Sequence, residues 1–256
     1  MTAKHSAYRA ISRLHAAVLG RRPAADGQRV LLYHAVGVPL PEDPCGTGIA
    51  RGLFRAHVEW LDSVRGEWKP APFGVPPESG RTLALSFDDG YKAVLTEAAP
   101  VLTVKGFPFT VFVSAANLDD SSGMYLTPAD LRELAALPGV AIGAHGLTHV
   151  PLDRLDDAAL RRELEVSRGR LEDVVGKQVN ALSYPFGAVD RRVRDAAQAA
   201  GYLLGGCSRY GLNRLERDPL LLCRTEVTAW DTAPDLALKV FGHWDWFRFR
   251  HRDPAA

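Results

Sequence analysis

Long hydrophobic runs are missing from this chain of 256 residues. No stretch reaches the roughly 20 apolar residues that a membrane-spanning helix needs. Cysteine is scarce as well. Cys45, Cys207 and Cys223 are too few and too scattered for a disulfide framework, and no Cys-x-x-Cys pair offers thiolates to structural zinc. Idle or buried thiols of this kind fit a reducing compartment. An excess of either charge is also lacking. Lys and Arg number 31 against 30 Asp and Glu, a formal net charge of +1, which excludes the strong basic field that general nucleic-acid binding requires. Internal repeats and low-complexity linkers are absent, so a single domain over residues 26–242 is expected.

The first residues, "MTAKHSAYRAISRLHAAVLGRRP", are interrupted by Arg9, Arg13 and His15. They lack the continuous apolar centre of a signal peptide, which makes a cytoplasmic location the expectation. Tyr8, Ile11, Leu14 and Val18 fall at helical spacing among basic residues. Residues 1–25 are therefore read as an amphipathic segment packed on the protein's own surface, with peripheral membrane contact as the alternative. The basic, aromatic tail over residues 243–256, with "HWDWFRFRHRD", carries the same two readings.

What is present is a regular alternation of apolar runs and helical patterns. Candidate strands are Arg29–His34, Thr82–Asp89, Phe107–Val113, Val140–Gly146, Ala181–Gly187, Tyr202–Ser208 and Leu220–Val227. Between them lie helical stretches at Leu53–Val64, Tyr91–Lys105, Asp130–Leu137, Asp156–Val175 and Asp190–Ala200. Thr127 followed by Pro128 reads as a helix cap and first turn. Such alternation implies α/β architecture, a parallel sheet with crossover helices. A single distorted (β/α)7-type barrel uses all seven strands, and an open doubly wound sheet is the alternative. Either places chemistry at the carboxyl ends of strands.

Two of those ends are polar. In "TLALSFDDG" Asp88 and Asp89 close a strand, with Ser86 and Ala84 on the face of Asp88. In "VAIGAHGLTH" His145 follows Gly143 and Ala141 on one face, and His149 stands four residues further on. Small residues on both faces suit a narrow barrel interior. Two histidines and a strand-end carboxylate match a three-ligand metal site with an open position, the arrangement of a catalytic centre. One aspartate can then bind the ion while its neighbour accepts a proton, the glycine after them permitting a bend that aims both into the mouth. In "LSYPFG" the proline and glycine fix the backbone, Tyr184 and Phe186 offer flat walls to a substrate groove, and a backbone N–H there can meet an oxyanion.

"SFDDG", "HGLTH" and "SYPFG", in that order, resemble the leading motifs of the polysaccharide deacetylase family (NodB homology, carbohydrate esterase family 4). The opening "VLLYHAVG" resembles members related to the poly-N-acetylglucosamine deacetylases. The resemblance spans roughly Val30–Val227 and implies a distorted barrel, a divalent metal and removal of N-acetyl groups from sugars. The metal would be zinc, with cobalt, manganese, nickel or iron as alternatives. It further implies Asp88 as general base and Asp89, His145 and His149 as metal ligands. Tyr184, Pro185 and Phe186 would be substrate residues, with the Phe186 N–H on the oxyanion.

The chain departs from the family pattern in three places. Ser183 stands where many members carry an arginine that orients the base, Gly146 stands where Ser or Thr is common, and no late Leu-x-x-His supplies an acid. His34, at the end of "RVLLYH", is the candidate acid, because the similar subgroup places its acid histidine early. Arg224, sharing a strand face with Glu226 in "LLLCRTEV", is the candidate to orient Asp88. The expected partner is an N-acetylated sugar, oligosaccharide or polysaccharide. The rivals are an amide or cyclic imide hydrolase of the same fold and a carbohydrate-binding relative without activity.

Overall fold

A computed structural model describes residues 3–20, 25–38, 40 and 43–250. Helix α1 (Ala3–Leu19) precedes strand β1 (Gly27–Tyr33), the paired β2 (Ala35–Val36) and β3 (Gly48–Ile49), helix α2 (Arg51–Ser63), β4 (Lys69–Pro70) and β5 (Arg81–Phe87). There follow α3 (Ala99–Val104), β6 (Phe109–Val113), α4 (Pro128–Ala136), β7 (Val140–Ala144), α5 (Asp157–Val175), β8 (Ala181–Ser183) and α6 (Arg191–Ala199). The chain then runs through β9 (Leu204–Gly206), β10 (Thr225–Glu226) and α7 (Ala233–Val240).

The seven candidate strands pair in the order β10-β1-β5-β6-β7-β8-β9, every pair parallel, with β4 added beside β5. The segment before β10 joins the two ends of that order. Leu222 N–H donates to Gly205 O at 2.7 Å and Cys207 N–H to Leu222 O at 2.8 Å. This seam curls the sheet into the distorted (β/α)7-type barrel.

Strict alternation of side chains divides the core in two. Val30, Ala84, Phe112, Ala181 and Leu222 fill the barrel interior, and Phe73 packs with them. A larger cluster that includes Leu31, Leu85, Val111 and Leu182 lies between the strands and the helices. Phe112 takes much of the interior, and Ala84 and Ala181 leave room for it. Gly143 takes the place where any side chain would run into the Phe112 ring.

Several elements are shorter than their sequence patterns. The run Ala181–Gly187 leaves the sheet after Ser183 because Pro185 cannot donate to a ladder and begins a tight turn. The run Leu220–Val227 opens with a 3₁₀ turn over Pro219–Leu221. Within Tyr91–Lys105 a π-helical turn, Val94–Ala98, precedes α3, whose first turn contains Pro100. Helix α4 starts as its sequence implies. Thr127 and Asp130 form a reciprocal capping box, with Pro128 at the first helical position.

Helix α1 docks on α7 and the C-terminal residues, though not through the stripe expected from the sequence. Arg9 pairs with buried Asp235 at 2.6 Å, Trp246 Nε1 donates to Ser12 Oγ at 3.1 Å, and the Tyr8 ring meets Trp246 and Phe247. Ile11, Leu14 and Val18 instead stand 47%, 65% and 73% exposed. The polar contacts of Arg9 and Ser12 lie on another side of the helix and decide which face turns inward. Residues 1–2 and 21–24 of the N-terminal segment and 251–256 of the tail lie outside the described residues.

Candidate active site

Interior alternation continues past the strand ends and brings the polar residues to one mouth. The register Tyr33↔Phe87 sets His34 beside Asp88, Leu32↔Glu226 places Glu226 one step below them on the same face, and Asp88 N–H donates to Tyr33 O at 3.0 Å. On β7 the same parity ends in His145, on β8 in Ser183, and on the closing segment in Arg224. Arg224 is wholly buried and lies over the Phe112 ring at 5.4 Å.

Asp88 is held from three directions. Arg224 donates from Nη1 to Oδ1 at 2.7 Å and from Nη2 to Oδ2 at 2.9 Å, while Ser183 Oγ donates to Oδ2 at 2.9 Å. A further Arg224 bond, Nη2 to Ser183 Oγ at 2.7 Å, closes the triangle. Burial pushes the Asp88 pKa up. The Arg224 charge outweighs that, with His145 and the Arg224 hydrogen bonds adding to it, and the group is held below the usual carboxylate range. So Ser183, the departure at the start of the third motif, sits between Asp88 and a guanidinium delivered from a different strand.

Asp89 points into the same mouth because the backbone bends at the residue itself. Its φ of 71° is left-handed, and Gly90 follows at 74°. The bend therefore begins one residue before the glycine to which the sequence reading gave it. Gly90 has its own constraint, since a Cβ there would come within 2.9 Å of the Val113 side chain.

Asp89 Oδ1 lies 3.4 Å from His145 Nε2 and 3.2 Å from His149 Nε2. The three ligand atoms fall within 4.8 Å of one another. The His145 Nδ1 bond to Ser183 O, 2.8 Å, requires a proton on Nδ1 and leaves Nε2 as a lone-pair donor. One carboxylate and two imidazoles with an open side are the donor set a divalent ion takes, and the residues fit it. Burial pushes the Asp89 pKa up, yet His145 and His149, which can donate to it when protonated, hold it well below the ordinary value. Burial lowers His145, but the Asp88 charge and the Asp89 bond raise it on balance. Negative potential of this kind draws a cation to the cluster. Asp88 stays outside the ligand set, with Oδ2 3.8 Å from His145 Nε2.

The loop carrying His149 is fixed from below by a residue the sequence reading missed. Buried Glu163 on α5 accepts from Leu147 N–H at 2.7 Å, Thr148 N–H at 3.0 Å and the Thr148 hydroxyl. Its only sequence signal is a carboxylate on the otherwise apolar face of a helix.

Phe186 stands 65% exposed at φ 59°, its ring 4.7 Å from that of His149. Tyr184 and Pro185 do not share that place. The alternation that turns Ser183 inward turns Tyr184 outward into the outer core, where its hydroxyl donates to Leu220 O at 2.9 Å. Pro185 is buried beneath the turn. Neither lines the pocket, so the expectation of a Tyr184 wall is corrected.

The mouth opens into a cavity of about 710 Å³. His34, Asp88, Asp89, His145, His149 and Phe186 all line it. The buried His34 Nδ1 finds no hydrogen-bond partner among the described residues. The remaining walls are residues that no local pattern marks, chiefly Tyr91, Tyr125, Tyr210 and Phe247, with the Glu226 carboxylate among them. Cys45 is exposed at this pocket, whereas Cys207 and Cys223 are buried.

The polysaccharide deacetylase family model matches residues 76–205, half of the chain. The chain belongs to the polysaccharide deacetylase family. Membership makes it a hydrolase of the carbohydrate deacetylase class, and with the Asp89–His145–His149 cluster it points to a divalent metal. The chain is 24% identical over 219 residues to the Bacillus subtilis (strain 168) protein named "Putative polysaccharide deacetylase YxkH", covering 83% of this chain and 74% of that one. Among solved structures, the Streptococcus pyogenes deacetylase PplD in complex with acetate aligns with a TM-score of 0.74 at 19% identity, over 84% of this chain and 99% of that one. IcaB from Ammonifex degensii aligns with a TM-score of 0.70 at 23% identity, over 85% and 98%. Both share the fold. The family match, over residues 76–205, covers neither His34 nor Arg224. Among the described residues no helix is long and apolar enough to cross a membrane.

Proposed function

We propose that this polysaccharide deacetylase removes N-acetyl groups from an N-acetylated sugar oligomer or polymer, with zinc held by Asp89, His145 and His149. The observation that carries the reading is the pairing of this ligand cluster with a second, uncoordinated carboxylate. Asp88 is ionised by its arginine and fixed in orientation by three hydrogen bonds. When bound, the ion would lower the pKa of water toward neutrality and polarise the acetyl carbonyl.

The chain's own groups do the rest. Asp88 takes a proton from the attacking water as its oxygen bonds to the acetyl carbon. The Phe186 N–H donates to the carbonyl oxygen as negative charge develops on it. His34 delivers a proton to the sugar nitrogen as the C–N bond breaks, because an amine anion is a very poor leaving group. Acetate and a free amino sugar result, so water is consumed and charge balances. The aromatic walls of Tyr91, Tyr125 and Phe186 suit the apolar faces of sugar rings. An acetate-bound structural neighbour and the early position of His34 support the N-acetyl substrate and the likeness to poly-N-acetylglucosamine deacetylases.

The test is acetate release from N-acetylglucosamine oligomers by the purified chain, with zinc, cobalt, manganese or nickel restored after chelation. Release that disappears on chelation and in both Asp88→Asn and Asp89→Asn is expected. Turnover of simple amides or cyclic imides with no acetate from any acetylated sugar would replace this reading. Sugar binding without release under every metal would end it.

A further inference from the structure

Helix α1 presents two different faces. One is spent on the body of the protein, through Tyr8, Arg9, Ser12 and His15, the last with its Nδ1 3.1 Å from Nδ1 of His243. The other carries Ile11, Leu14 and Val18, spaced three and then four residues apart, and all three are among the most exposed large apolar side chains of the described residues. A stripe with that spacing is one continuous apolar ridge. Fully exposed apolar ridges of this kind mark interaction surfaces.

Charge and area identify the occupant. The segment before Asp26 contains Lys4, Arg9, Arg13, Arg21 and Arg22 and no acidic residue, although the whole chain is nearly neutral. The rest of the protein is thus net acidic, and the basic excess belongs to this segment, two of its arginines meeting Asp235 on the docked side. Arg13 keeps its side chain 59% exposed while touching Asp235. Beside the helix, the segment whose Trp246 and Phe247 pack on Tyr8 ends in exposed Arg248 and in Phe249, 82% exposed. The ridge offers a few hundred Å² at most, well below the ~800 Å² per partner of a stable protein interface. A bilayer has no such minimum. Apolar side chains enter the acyl boundary while basic ones meet anionic headgroups.

We propose that α1 is an interfacial helix that docks the enzyme on an anionic phospholipid surface through Ile11, Leu14 and Val18. The ridge stays free when the opposite face is docked, so binding needs no rearrangement. Because Tyr8 packs on Phe247, which lines the active-site cavity, the lipid-facing helix and the substrate mouth belong to one rigid neighbourhood. The enzyme is therefore held with its mouth near the bilayer, where membrane-borne glycan is concentrated.

Flotation of the full chain with vesicles of phosphatidylcholine alone, or mixed with phosphatidylglycerol, tests this without any assay of activity. Binding to the mixed vesicles, weakening as ionic strength rises, is expected. The triple variant Ile11→Ser, Leu14→Ser, Val18→Ser should bind at least about tenfold more weakly. It should keep its melting temperature and its turnover of soluble oligomers. Three results would overturn the proposal: no flotation of the wild-type chain at low salt, equal flotation of the triple variant, or a dimer in solution that the triple variant abolishes. The last would assign the ridge to a second copy of the chain. A failed deacetylase assay leaves the vesicle result standing, and the reverse also holds.

Discussion

Among the described residues three other than glycine have left-handed backbone, Asp89, His149 and Phe186, and all three line the candidate active-site cavity. Such conformations cost of order 1–3 kcal/mol for residues with a Cβ, and they persist where the surroundings enforce them. Phe186 isolates the effect, because its side chain is mostly exposed. Phe186→Gly should be more stable than Phe186→Ala by about 1 kcal/mol, since only glycine relaxes at that φ. Equal denaturant midpoints for the two variants would show no strain. Arg224 sets a second test. It lowers the Asp88 pKa, so the stability that this carboxylate contributes is present above the unfolded value and lost as pH falls through the lower folded one. Removing the guanidinium raises that pKa. The acid limb of kcat/KM should therefore move to higher pH in Arg224→Gln and less in Arg224→Lys, with the wild-type profile as reference. The aspartates and histidines of the mouth were legible in the sequence because short motifs carry them. Tyr184 was misplaced because period-two alternation turns it away from Ser183, and that parity was not applied to this strand.

Among the elements, α5 is the one that reaches furthest into the site. Its Glu163 takes two backbone N–H groups of the loop between His145 and His149. Glu163→Gln should weaken zinc affinity by 10–100-fold, as loss of an outer partner of metal ligands commonly does. Calorimetric titration of the metal-free protein reads this directly, and an unchanged affinity would reduce Glu163 to a packing role. All seven strands of the barrel path were visible as apolar runs, and their ends were not, because Pro185 starts a turn inside one run and Pro219, just before another, starts a turn that takes up its first two residues. Helix α7 escaped notice although Thr232, Pro234 and Asp235 repeat the capping arrangement of Thr127, Pro128 and Asp130. The aromatic walls had no local signature at all. Tyr91, Tyr125, Tyr210 and Phe247 come together only through long-range folding.

For the molecule as a whole, the barrel closes where Leu222 pairs with Gly205 and Cys207, and a buried ion pair then ties α7 to the chain that follows β10. Lys239 on α7 donates to Asp231 Oδ2 at 2.6 Å and to Glu226 O at 2.7 Å, both charged side chains being almost wholly buried. Burial raises the Asp231 pKa, and the Lys239 charge more than offsets this, leaving it below its ordinary value. Lys239→Ala strands the carboxylate and should cost about 3–5 kcal/mol in urea unfolding. The double change Lys239→Met with Asp231→Asn should cost less, since no unpaired charge is left behind. Equal losses in the two would mean that packing, not charge, holds α7 there. The barrel seam delivers Arg224, which lies 136 positions along the chain from the carboxylate it clamps. A polypeptide emerging from the ribosome therefore carries Asp88 long before Arg224 has been translated. The clamp on that carboxylate forms only after β10 has been made, so a fragment that stops before Leu222 should lack it.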